Sequence, residues 1–173
     1  GMAKPVPYNP YNLKNQKWGP TFVGIAGPLS NIILALLAAL IASILPVLTT
    51  ARKDIFYSFR IAISGRGLSL ENWSNFANSI HGSLSGIIFG LLLMIIFWNV
   101  LIAVFNLIPF PPLDGSKIFY GIFPIKIETM AILEQYGIFL LFLLIIVDAS
   151  TFNIVGRILD IVWGMFFSLA NAG

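Results

Sequence analysis

The chain has no cysteine, a single histidine and, in 173 residues, only ten lysines and arginines against seven aspartates and glutamates. Without cysteine there is no disulfide framework, no Cys-ligated zinc and no thiol nucleophile, so any metal must be held by nitrogen and oxygen ligands. The scarcity of charge excludes more. Charged residues make up 10% of the sequence and hydrophobic ones 58%, whereas a soluble domain carries roughly 25% charged residues. No water-facing surface can be built from so few. The net charge is +3, but the basic residues are scattered rather than gathered into a stripe, which argues against nucleic acid as a partner. Residues 1–20, polar and interrupted by proline, do not read as a signal peptide, which opens with a basic segment and a short apolar core, and the expectation is a chain that does not begin as a complete membrane protein does. The composition therefore predicts an all-α integral membrane protein, a single membrane domain with three to four transmembrane helices and membrane lipids as its surroundings.

What is present are long uncharged runs. Residues 22–48 carry no charge and meet the roughly 20-residue requirement for a spanning helix. Gly27-Pro28 stands near the start, where proline suits a first helical turn, and Pro46 closes the other end, which leaves 29–44 as the span proper. Residues 49–83 turn polar, with Arg52, Lys53, Asp54, Arg60, Arg66 and Glu71 and the turn formers Ser64-Gly65 and Gly67. They predict an extramembrane loop whose middle, 55–63, forms a short amphipathic helix in the interface. Residues 84–108 are a second uncharged span, followed by a broken segment and connector over 109–130. There Pro109, Pro111 and Pro112 cannot continue a helix. Broken backbone at membrane depth is tolerated only when buried in protein or lining a wet cavity, so this segment points to a site. A third span covers 131–148. Residues 152–169 are apolar with Arg157 and Asp160 three apart, and read as an interfacial helix or a fourth span with an internal ion pair.

Few residues can carry chemistry. Asp114 follows the helix break at the end of an uncharged span, where a carboxylate has a partner or a function. The local sequence favours the plainer reading, that Asp114 is the N-cap of a connector helix beginning near Gly115. Asn99 and Asn106, seven apart, share one helix face, and Asn31 lies early in the first span. Such amides bond between packed helices, or donate to a peptide carbonyl and the oxyanion formed from it. His81, beside Gly82, reads as a solvated loop residue. A zinc protease needs several ligands, often two histidines one turn apart in His-Glu-x-x-His, and this sequence cannot supply them.

Three stretches together carry a resemblance: Ala3-Lys4-Pro5-Val6-Pro7 with Asn9-Pro10-Tyr11-Asn12; Ala26-Gly27-Pro28-Leu29-Ser30-Asn31; and Phe105-Asn106-Leu107-Ile108-Pro109 running on to Pro112-Leu113-Asp114-Gly115. In this order and spacing the chain resembles the site-2 protease family of intramembrane zinc metalloproteases, specifically the small bacterial and archaeal members. Leu133-Glu134-Gln135-Tyr136-Gly137 resembles the start of that family's following helix. The resemblance implies zinc as cofactor, Asp114 as a zinc ligand, and Asn31 and Asn106 as substrate-binding residues of the active site. It also implies a transmembrane protein or peptide as substrate and a prokaryotic cell membrane as location. In such a site zinc lowers the pKa of its bound water and polarises the scissile carbonyl while a glutamate takes the proton.

One departure qualifies this. The family's His-Glu-x-x-His helix precedes the Ala-Lys-Pro-Val segment, and neither the two histidine ligands nor the general base is among these residues. The expectation is an N-terminally incomplete member that binds no stoichiometric zinc and is inactive as given. The alternative is a non-catalytic membrane-binding or assembly protein that retains the substrate groove. The resemblance further predicts that Asn106 and Asp114 lie close to Asn31, with non-helical backbone between Pro109 and Pro112.

Overall fold

The computed structural model describes residues 18–63, 69–123 and 125–172. The stretches 3–7 and 9–12 and the turn formers at 64–67 lie outside them. Among the described residues the chain is seven helices and no strand: α1 Gly19–Ile44, α2 Thr49–Ile63, α3 Leu70–Ile80, α4 Leu84–Asn106, α5 Asp114–Ile122, α6 Ile127–Ser150 and α7 Ile154–Ala170. Three segments are long and apolar enough to cross a membrane: α1, α4 and Glu128–Ser150 of α6.

The spans fall where the uncharged runs predict them, with two differences of detail. The first helix begins at Gly19, which puts Pro28 inside it rather than in its first turn. Proline there removes one hydrogen bond, the one to the Gly24 carbonyl, and the apolar residues on both sides keep the helix going. Within 49–83 the described residues are mostly helical, and α2 starts six residues ahead of the short helix expected over 55–63. They hold α2 and α3, because Arg52, Ile55, Phe59 and Ala62 recur at helical spacing and are all buried, a stripe that only a helix can present to one side. The side chain of Ser69 accepts from the Asn72 amide at 3.2 Å and starts α3.

The chain forms two compact units, one of residues 1–30 and 102–155, the other of 31–101 and 156–173. The core of the second draws on Ala35, Ala38, Ala39 and Ala42 of α1 and Phe89, Leu93, Ile96 and Val100 of α4; such small residues let helix backbones approach closely inside a bilayer. Phe59 lies at its centre, with ring contacts to Phe76 at 5.1 Å, Phe167 at 5.8 Å and Phe97 at 6.1 Å. Arg52 is only 4% exposed. Its guanidinium donates to the carbonyls of Leu45 at 2.7 Å and Ala170 at 3.0 Å and lies 5.1 Å from the Phe89 ring centre. Both acceptors sit at helix C-termini, where carbonyls lack intrahelical donors and the dipole is negative.

In the first unit, the Asp148 carboxylate accepts from the amides of Ile154 at 2.8 Å and Val155 at 3.0 Å, so it caps the start of α7. The α6 helix leaves Phe139 70% and Phe142 63% exposed, an apolar face suited to lipid and not to water.

Candidate active site at the broken helix

The second span ends at Asn106, and turns and bends occupy 107–113 before α5 begins. No regular helix passes Pro109, Pro111 and Pro112, as their missing N–H groups dictate. The amides that remain are paired locally: Phe110 donates to the Ile108 carbonyl at 2.7 Å and Leu113 to the Phe110 carbonyl at 3.0 Å. Among the described residues no hydrogen bond reaches the carbonyls of Pro109, Pro111 or Pro112. The segment is thus richer in free acceptors than in donors.

Asp114 is the first residue of α5, and Leu113, extended and without a side-chain cap, is the N-cap. The cap reading of Asp114 is therefore corrected. Its Oδ1 instead pairs with the Lys117 ammonium at 2.7 Å, one turn along. The helix starts this early because Gly115 is pressed onto the end of the preceding segment, where an added Cβ would meet the Leu107 carbonyl oxygen at 2.5 Å and the Ile108 carbonyl oxygen closer still. Asp114 also lies against α1. A Cβ on Gly24 would come 2.8 Å from the Asp114 carbonyl oxygen, and one on Gly27 would come 3.0 Å from Oδ2. Thr21 Oγ1 donates to the Lys117 carbonyl at 3.4 Å. The carboxylate is thereby held between the Gly27-Pro28 step of α1 and the ammonium of Lys117, and about a third of it remains exposed.

The other sequence candidates fare differently. Asn106 is the last residue of α4 and half-buried; Asn31, also half-buried, follows Gly27 by four residues on α1. Asn99 does not bridge helices, since its Nδ2 donates to the Ile95 carbonyl of its own helix at 2.8 Å. His81 is the exposed C-cap of α3, donating its backbone amide to the Asn78 carbonyl at 3.3 Å. Two residues of α5 went unmarked in the sequence. Lys117 was legible as an Asp-x-x-Lys pair at helical spacing. Tyr120, one further turn on, carries a hydroxyl sealed from solvent with no hydrogen-bond partner. Burial raises its pKa above the usual value, and the Glu134 carboxylate adds to the effect.

The model of peptidase family M50 matches residues 4–144, which take in α1, α4, the broken segment and most of α6. The chain belongs to peptidase family M50, the site-2 protease family. A curated protein of Bacillus subtilis (strain 168), named "Putative zinc metalloprotease YwhC", is similar to this M50 member, with 28% identity over 148 residues that cover 85% of this chain and 54% of the relative. The chain thus spans about half the length of the curated relative it matches. No solved structure matches it. Zinc, which the family implies, does not fit the described residues as a complete site. They hold no group of three His, Cys, Asp or Glu side chains, and the one placed carboxylate, Asp114, is paired with an ammonium. It can serve as one ligand of several.

Proposed function

We propose that this M50 member takes part in peptide-bond hydrolysis within or near the bilayer of a prokaryotic cell, with Asp114 as one zinc ligand and Asn31 and Asn106 bound to the substrate. The observation that carries this reading is the broken segment itself. A transmembrane substrate must unwind before a peptide bond becomes accessible, and unwinding frees backbone N–H groups that lipid cannot satisfy. The unpaired carbonyls of the exposed Pro109 and Pro112 can receive those donors beside Asp114. These 173 residues contain one histidine, so the test supplies the imidazole ligands of such a site on a joined helix.

The test joins a His-Glu-x-x-His helix ahead of residue 1 and measures zinc content and cleavage of a membrane-embedded substrate together. Asp114→Asn is expected to lower both by at least about tenfold, since a neutral amide is a poorer ligand than a carboxylate. Asn31→Ala is expected to lower turnover by about 10²-fold with zinc retained, the size of losing one oxyanion donor. If Asp114→Asn leaves zinc content and cleavage unchanged, the assignment fails. Zinc uptake without cleavage of any substrate would favour the assembly-protein alternative, in which the groove binds and does not cut.

A further inference from the structure

Within the second unit, α2 and α7 line an open cavity of ≈ 520 Å³ whose two charged residues are exposed. Two opposite charges line it, Arg60 from α2 and Asp160 from α7. They are not paired with each other, and among the described residues neither has a partner. The Arg157–Asp160 ion pair that the sequence suggested does not form either. Facing the charges is an aromatic wall of Phe56, Trp163 and Phe167. That wall is fixed. Trp163 Nε1 donates to the Phe97 carbonyl at 3.3 Å and its ring stacks on Phe97 at 4.7 Å, while Phe167 sits edge-on to Phe56 at 5.7 Å. Asn171 also lines the cavity, and its Oδ1 is sealed from solvent with no donor.

We propose that this cavity binds the zwitterionic head of a phospholipid bearing a primary ammonium, of the phosphoethanolamine class. Arg60 takes the phosphate, Asp160 takes the ammonium, and the aromatic wall takes the first methylenes of the acyl chains. The chemistry selects this class. A purely anionic head would face Asp160 and a purely cationic one Arg60, each an unfavourable juxtaposition of like charges. A quaternary ammonium has no N–H to donate to the Asp160 carboxylate. A wholly polar zwitterion would leave three aromatic rings without an apolar partner. Lipid is at hand, because α2 begins directly after the α1 span ends.

Native mass spectrometry of the purified chain, titrated with phosphatidylethanolamine, phosphatidylcholine or phosphatidylglycerol, tests the assignment. Gly164 lines the cavity as well, and a Cβ added there meets nothing within 4 Å, so Gly164→Leu fills the space without clash. One phosphatidylethanolamine is expected to be retained per chain at about tenfold lower concentration than either other lipid, and Arg60→Gln and Asp160→Asn are each expected to cost about tenfold, the size of one charge-assisted hydrogen bond. Gly164→Leu is expected to abolish the preference while leaving the unfolding temperature of the lipid-free chain unchanged. Equal retention of the three lipids, or undiminished retention by Gly164→Leu, overturns the proposal. If free glycerophosphoethanolamine competes at the same concentration as the lipid, the aromatic wall contributes nothing and the lipid assignment falls.

Discussion

At the scale of single residues, two buried polar groups set the sharpest expectations. The Tyr120 hydroxyl has neither solvent nor partner, and its raised pKa follows from burial and then from Glu134. A phenol whose folded pKa exceeds its unfolded value of about 10 contributes stability that is fully present below that pH and is lost as pH rises through the folded value. Absorbance titration near the phenolate band should therefore show a phenol ionising above the usual tyrosine range, and Tyr120→Phe should remove that step and flatten the alkaline loss of stability. Arg52 is the second case. Arg52→Ala leaves the Leu45 and Ala170 carbonyls without their charged donor, a loss of about 2–4 kcal/mol in denaturant unfolding. Arg52→Lys should fall between, because an ammonium cannot reproduce the planar fork of a guanidinium.

At the scale of elements, the short helix α5 depends on a missing side chain. Gly115→Ala would drive a methyl into the Leu107 and Ile108 carbonyls, with an expected cost of about 1–3 kcal/mol by overpacking and a displaced Asp114, measurable as a lower unfolding midpoint and, in the zinc-restored protein, weaker metal retention. Much of this architecture was legible beforehand. Uncharged runs marked α1, α4 and α6, and the prolines marked the break, because both signals are local. Of α2 only 55–63 was legible and α3 was hidden, since the polar residues that made 49–83 look like a loop include Arg52, whose charge is satisfied by carbonyls 7 and 118 residues away. No local pattern reveals a partner that distant. The Asp114–Lys117 pair was missed, and Asp114 read locally as a cap, for a related reason. An aspartate at a helix start has two uses, and the glycines at 24, 27 and 115 that decide between them act through close approach in space.

At the scale of the whole molecule, the surface is apolar where a soluble protein is charged, and this can be measured directly. Phe142 lies in the middle of α6 with 63% of its surface bare; Phe142→Asp should raise the apparent free energy of membrane insertion of that segment by roughly 3–4 kcal/mol in a translocon assay. A value near zero would mean that α6 does not face hydrocarbon. The guanidinium of Arg52 has a consequence in time as well as in space. It emerges from the ribosome early, yet its acceptor at Ala170 lies 118 residues further on, which at about 5–20 residues per second is a delay of roughly 6–24 s. Through that interval a cation destined for a dry interior has only half its acceptors. The unit formed by residues 31–101 and 156–173 thus gains the second acceptor of its buried arginine only once α7 is in place.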